Sequence, residues 1–235
     1  MNKLYCYNRW LFEEVCKTNG WDNDNIPANA AFISICGTPD CQEYVLQERE
    51  FHYFDDYYLH VLNLDFDDIS TFRKKIKVPG EKRYCFGITL DDAIRTVEFI
   101  KCNLGKDFYI HCRAGQSRSQ AIVAYILRMY DGIYDFQIRP DNPPSTPNQF
   151  VLGRLLQAAK IVGEEERVCF IRNGYTIESM VSYPPDYSFC IHIKELPGIG
   201  IRRRHNVWTI DNYSGSIPEI ELFNVIENLV NSAKP

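Results

Sequence analysis

The sequence lacks any apolar run approaching the roughly 20 residues of a membrane-spanning helix, and its mean hydropathy is -0.30. It has no excess of positive charge. Twenty-six Lys and Arg face 31 Asp and Glu, a formal net charge of -5, unlike the basic balance of a general nucleic-acid binder. None of its nine cysteines forms a Cys-x-x-Cys unit, so the spacing of a structural zinc site is missing. None of the five histidines stands at metal-ligand spacing from another. The first residues, Met1-Asn2-Lys3-Leu4-Tyr5, carry no apolar run with a cleavage site, and no secretory leader is expected. No repeat recurs at a solenoid period. What is there is ordinary globular composition, 45% hydrophobic and 24% charged. Its 235 residues suffice for one sizeable domain with a smaller unit appended. The chain reads as a reduced, cytoplasmic protein with no membrane, nucleic-acid, metal or cofactor partner.

Hydrophobic periodicity divides residues 1–163 into alternating strands and helices. Residues 3–7, 31–36, 57–64 and 107–111 read as strands. Residues 9–19, 90–102, 118–130 and 150–162 read as helices. Gly20 stops the first helix, and Asp91 and Asp92 suit the positive end of the second. Helix 118–130 is apolar nearly all round, as a central helix is. Residues 139–147, with Pro140, Pro143, Pro144 and Pro147, read as a rigid loop. The alternation predicts an α/β fold with a mainly parallel central sheet flanked by helices. A boundary falls in Gly163-Glu164-Glu165-Glu166, giving domains 1–163 and 164–235. Beyond it, strand patterns at about 168–172, 176–182, 188–194 and 207–211 and one helix at 218–233 predict a small α+β accessory unit.

The chemistry is concentrated in His111-Cys112-Arg113-Ala114-Gly115-Gln116-Ser117-Arg118-Ser119. Cys-x5-Arg occurs once, follows a predicted buried strand and opens into a predicted helix. A loop wrapped ahead of a helix N-terminus turns successive backbone N–H groups inward and makes an anion cradle. Gly115 allows the positive φ of a tight wrap. Cys112, at the base, is favoured as thiolate by those dipoles and by the nearby guanidinium. Arg118 offers a planar, permanently charged fork to phosphate oxygens. Ser119 can donate a hydrogen bond to a departing thiolate. Arg113, Ala114, Gly115, Gln116 and Ser117 complete the phosphate-binding loop.

His-Cys-x5-Arg-Ser resembles the phosphate-binding signature of cysteine-dependent protein tyrosine phosphatases. The compact strand–loop–helix setting resembles the dual-specificity branch and related compact tyrosine phosphatases. The resemblance covers residues 1–163, including the order of elements and the Pro147-Asn148 step into a helix. It implies a tyrosine-phosphatase-like sandwich, attack on phosphorus by Cys112, phosphoryl binding by Arg118 and a phosphocysteine that water hydrolyses. Ser119 corresponds to the hydroxyl after the family's arginine, and His111 to the histidine that helps order the loop. Leu64-Asp65-Phe66-Asp67-Asp68-Ile69 looks like the acid loop of the phosphatases of regenerating liver, where the second aspartate is the acid. Asp68 is accordingly the expected general acid, with Asp67 in reserve. Asp68 lies 44 residues before Cys112, farther than in short dual-specificity domains, so residues 71–89 read as an inserted or extended loop. Cys36 reads as a small core residue. The alternative is the second cysteine that in some relatives traps the nucleophile as a disulfide.

The expected activity is phosphate monoester hydrolysis on phosphotyrosine proteins, extending to phosphoserine and phosphothreonine. The alternatives are a phosphoprotein-binding module without turnover and a phosphatase of phosphoinositides or other non-protein phosphates. Within the cradle only Arg113 adds basic charge, which favours phosphotyrosine over highly charged inositol phosphates. A further rival rests on Asp65-x-Asp67 after a buried strand, as in magnesium-dependent aspartate-nucleophile phosphatases, with Asp91 and Asp92 as distant ligands. That rival leaves Cys112 and Arg118 without a task. Arg202-Arg203-Arg204-His205 reads as a solvated loop or strand end.

Overall fold

The computed structural model describes residues 1–43, 50–56, 58–78, 80–137, 146–183, 188–204 and 207–233, without the side chains of Val78, Ser182 and Tyr183. Tyr57 of the third predicted strand, residues 139–145 of the predicted rigid loop and His205 lie outside the described residues. Two compact units divide within a helix, Met1–Ala158 and Ala159–Pro235.

The first unit begins with β1 (Asn2–Asn8), α1 (Arg9–Asn19), β2 (Ala30–Cys36), the single turn α2 (Pro39–Cys41) and β3 (Val61–Asp65). A hairpin, β4 (Arg73–Val78) and β5 (Glu81–Phe86), follows, then α3 (Leu90–Cys102), β6 (Asp107–Cys112), α4 (Arg118–Met129) and β7 (Tyr134–Gln137). The helix α5 (Gln149–Ile161) leads into the second unit. β1, β2, β3, β6 and β7 form a five-stranded sheet in the order β3-β2-β6-β1-β7, with every pairing parallel. The expected mixed α/β architecture with a central parallel sheet is therefore present.

Strand alternation sorts the sheet into two apolar faces. Tyr5, Tyr7, Phe32 and Tyr109 stack with Phe12, Trp21 and Phe54 on the α1 side. Leu4, Ile33, Ile35, Leu64 and Ile110 are buried from the opposite face, where α4 packs on β6 and β1, and α3 on β3. α4 accordingly buries Ala121, Ile122, Val123, Tyr125 and Ile126. Caps set the helix ends. Asn8 Oδ1 accepts from Leu11 N at 2.9 Å, Gly20 takes the left-handed region at φ 67°, and Thr89 Oγ1 accepts from Asp92 N at 3.0 Å. Each satisfies a backbone group that the helix itself leaves open.

Several elements differ from the sequence reading: β3 begins at Val61 rather than at residue 57, and β10 (Gly200–Arg204) is a strand where none is expected. Residues 71–89 contain the antiparallel β4–β5 hairpin, paired from Arg73↔Phe86 to Val78↔Glu81 and turning at Gly80, φ 80°. Lysines on both of its faces, Lys74 on one and Lys75 and Lys77 on the other, hide its alternation. β7 is a four-residue edge strand, too short to stand out. In the second unit, residues 168–172 belong to a helix, α6 (Glu164–Arg172), and not to a strand. Gly163 precedes it at φ 71°, and Glu164, Glu165 and Glu166 occupy its first turn, where the helix dipole favours acidic side chains. A short apolar run such as Val168-Cys169-Phe170-Ile171 does not discriminate strand from helix by itself.

The second unit continues with β8 (Ile177–Tyr183), β9 (Ser188–Ile193), β10 (Gly200–Arg204), β11 (Val207–Ile210), a 3-10 turn and α7 (Leu222–Ala233). Its antiparallel sheet runs β11-β10-β9-β8, and Phe170, Phe189, Ile191, Trp208, Leu222 and Ile226 fill its core. The basic run lies in β10, where Arg202 pairs with Asp211 and Arg203 with Glu166. Among the described residues no helix is long and apolar enough to cross a membrane.

Candidate active site

Cys36, Asp65 and Cys112 are the last residues of β2, β3 and β6. The loops beyond neighbouring parallel strands therefore open at one edge of the sheet, where crevices form in open α/β folds. There a cleft of about 590 Å³ is lined by Cys112, Arg113, Ala114, Gln116, Ser117 and Arg118, by Asp67, Asp68 and Ile69, and by residues of the hairpin.

Cys112 is 2% exposed, and its Sγ lies 3.1 Å from Ser119 Oγ. Ser119 is fully buried beneath it and also touches Cys6 Sγ, at 3.3 Å. Among the described residues, the backbone N–H groups of residues 114–118 have no acceptor within the chain. Gly115 makes their arrangement possible. Its φ is 70°, and a Cβ there would stand 2.6 Å from Asn8 N and 2.7 Å from the Tyr7 carbonyl carbon. Both the conformation and the close approach to β1 require glycine. Gly115 thus packs its α-carbon against β1 and is not among the residues that line the cleft.

Arg118 is buried, with Nη1 donating to the Phe66 carbonyl at 2.8 Å. Its buried Nε makes no hydrogen bond among the described residues. The Phe66 carbonyl ties the arginine to the acidic loop, where the two aspartates part company. Asp67 is 1% exposed. Its Oδ1 accepts from Thr38 N at 2.8 Å, and its Oδ2 from Thr38 Oγ1 at 2.6 Å and Phe86 N at 2.7 Å. Asp68 is exposed, and its Oδ1 accepts from Ser117 Oγ at 2.7 Å and from Asn148 Nδ2 at 2.8 Å. Asp67 is bonded into the scaffold; Asp68 is presented to the cleft beside the cradle.

Several other residues take places that the sequence leaves open. Arg113 lines the cleft with its Nη1 3.9 Å from the buried Glu50 carboxylate, whose Oε2 accepts from Gly37 N at 2.8 Å. His111 stacks on Phe12 with centroids 4.1 Å apart, and neither ring nitrogen hydrogen-bonds among the described residues. Its pKa is lowered to about 3, first by burial and then by the charges of His52, Arg9 and Arg118. His111 therefore supports the loop as a neutral packed ring.

The register seats Ile35 opposite Cys112, and pleat alternation turns Cys36 to the α1 face with Ser34 and His111. There its Sγ lies 3.5 Å from His52 Nδ1. On the Cys112 side of the sheet lies the thiol of Cys6, which no local sequence pattern marks and whose pKa burial pushes up to about 12. All nine cysteines are free.

Two side-chain groups have the composition of metal sites: Cys36, His52 and Asp65, and Cys41, Asp67 and Cys85. In the first, both His52 nitrogens already face Ser34 Oγ at 2.8 Å and Asp65 Oδ1 at 3.1 Å. In the second, both Asp67 oxygens are occupied, as described. Among the described residues no three of Asp65, Asp67, Asp91 and Asp92 come together as ligands, so the geometry does not assemble the aspartate–magnesium alternative. Compared with known protein families, curated proteins and solved structures, the chain matches none.

Proposed function

We propose that this chain is a cysteine-dependent phosphatase of the tyrosine-phosphatase kind, acting on phosphotyrosine in proteins through a phosphocysteine intermediate. The observation that carries the reading is the convergence of Cys112, Arg118 and Asp68 on one cleft around a row of unengaged backbone N–H groups. That arrangement suits a tetrahedral dianion and the extra charge it gains in the transition state.

The Cys112 thiolate attacks phosphorus, and the P–O bond to the tyrosyl oxygen breaks. Protonated Asp68 delivers its proton to that oxygen, so that a phenol leaves and not a phenolate. The cradle N–H groups and the Arg118 fork hold the three non-bridging oxygens throughout. In the second step Asp68, now carboxylate, takes a proton from the attacking water as the P–S bond breaks. The Ser119 hydroxyl, 3.1 Å from Sγ, hydrogen-bonds the returning thiolate. Phosphoserine and phosphothreonine are slower substrates of the same chemistry, since an alkoxide leaves less readily than a phenolate. Nine free cysteines fit a reducing compartment, so a cytoplasmic setting belongs to this reading.

Phosphate release from an aryl phosphate tests it. Activity that survives EDTA and disappears in Cys112→Ser is the expected outcome. EDTA-sensitive activity persisting in Cys112→Ser would overturn it in favour of metal-dependent chemistry, and binding without turnover would favour a recognition module.

A further inference from the structure

The β4–β5 hairpin is a strongly basic element in an acidic chain. Between Arg73 and Phe86 the basic residues are Arg73, Lys74, Lys75, Lys77, Lys82 and Arg83, against Glu81 alone. None of the catalytic steps uses these charges. The hairpin is fixed against the site: Phe86 N donates to Asp67 Oδ2, and Asp67 N to the Phe86 carbonyl, each at 2.7 Å. Its two ends close at Gly87, where a Cβ would stand 2.5 Å from the Thr71 carbonyl oxygen.

Register decides where each charge points. Lys74 pairs with Cys85 and Ile76 with Arg83, and directly opposed residues share a face. Lys74, Lys75, Ile76 and Cys85 all line the cleft, and Lys74 shares its strand face with Ile76 and Cys85. Lys75, opposite Tyr84, lies on the other strand face and joins the cleft lining at its rim. Arg83 is held by Glu81 at 2.7 Å and Asp40 at 3.1 Å, and Arg73 lies 3.4 Å above the Tyr84 ring. Lys74 and Lys75 are exposed and have no carboxylate partner among the described residues.

Resting on the phosphatase reading, we propose that Lys74, with Lys75 at the rim, forms a second anion subsite beside the cradle. The preferred substrate is then a phosphotyrosine peptide with Asp or Glu flanking the phosphorylated residue. A compact polyphosphate would want its cations gathered in the cleft, whereas of the six basic residues of the hairpin only Lys74 and Lys75 line it, and Arg73, Lys77, Lys82 and Arg83 lie outside that lining. A spaced row of charges fits an extended acidic chain. Base stacking is not offered by Tyr84, because the Arg73 guanidinium covers its ring.

The test compares peptides of one sequence around phosphotyrosine, flanked by Glu, Gln or Lys. Turnover by wild type is read alongside fluorescence-anisotropy binding of their non-hydrolysable phosphonate analogues. Wild type is expected to favour Glu over Gln flanks about tenfold, mainly in KM and Kd, with the margin narrowing as salt screens it. Lys74→Ala should remove most of that margin, and Lys74→Glu should make the Lys-flanked peptide the better ligand. Equal handling of Glu and Gln peptides by wild type, or a margin unchanged in the Lys74→Ala/Lys75→Ala double variant, would overturn the subsite. So would higher kcat/KM for a 5′-phosphorylated oligonucleotide or an inositol polyphosphate. Absence of turnover on every peptide and on p-nitrophenyl phosphate defeats the phosphatase reading instead, and the binding arm still decides the subsite.

Discussion

Asn148 Nδ2 donates to Asp68 Oδ1 at 2.8 Å across 80 residues of chain. The same side chain caps α5, its Oδ1 accepting from Phe150 N at 3.0 Å and Val151 N at 3.2 Å. One amide thus anchors a helix and aims the proposed general acid, with Ser117 Oγ as the second support. Asn148 acts as a positioning residue.

The two functions of Asn148 separate by substitution. Asn148→Asp keeps the capping acceptor and loses the donor to Asp68; Asn148→Ala loses both. Only Asn148→Ala should lower stability through the cap, by about 1 kcal/mol. Both should slow an alkyl or tyrosyl phosphate about tenfold more than a dinitrophenyl phosphate, whose leaving group needs no proton. Equal losses on the two esters would show that Asn148 does not act through the acid.

The neighbouring aspartates make a sharper pair. Asp67→Asn should cost about 1–3 kcal/mol, because a buried carboxylate accepting three hydrogen bonds is replaced by an amide with one fewer acceptor. Hydrogen exchange should rise across the β4–β5 hairpin, which Asp67 holds through Phe86. Asp68→Asn should leave the unfolding midpoint nearly unchanged and reduce turnover of tyrosyl phosphate about 10²–10³-fold. A protein in which Asp67→Asn is the less active and the more stable of the two would reverse their assignment.

Local signals explain what the sequence makes legible. α1 and α3 carry their own caps and stripes, so Arg9–Asn19 and Leu90–Cys102 agree with the reading residue for residue. The cradle is legible for the same reason, since strand, glycine and helix start are contiguous. Asp67 and Asp68 are chemically identical neighbours, and only the fold decides which is buried against Thr38. Asn148, Cys6 and Lys74 reach the site from distant segments, and no local pattern marks them. The α6 misreading has the opposite cause, a local apolar run compatible with either period.

Two histidines near this edge of the sheet should tilt stability in opposite directions with pH. Burial opposes charge on His52, but the hydrogen bond to Asp65 and the proximity of Cys36 outweigh it, raising its pKa to about 9. The folded protein binds this proton more tightly than the unfolded chain, whose histidines titrate near about 6.5. The His52 contribution is therefore complete below about pH 6.5 and lost as pH rises through about 9. His111, lowered to about 3, binds its proton less tightly when folded. Its contribution is complete above about pH 6.5 and lost as pH falls from there toward about 3. Denaturation midpoints measured from about pH 4 to about pH 9.5 should fall on both limbs. His52→Gln should flatten the alkaline limb and weaken the acid limb without abolishing it, because burial remains the first cause that depresses His111. Asp65→Asn should flatten the alkaline limb by removing the partner that raises His52. An alkaline limb unchanged in both variants would mean that the His52–Asp65 pair, 3.1 Å apart, contributes no proton linkage to folding.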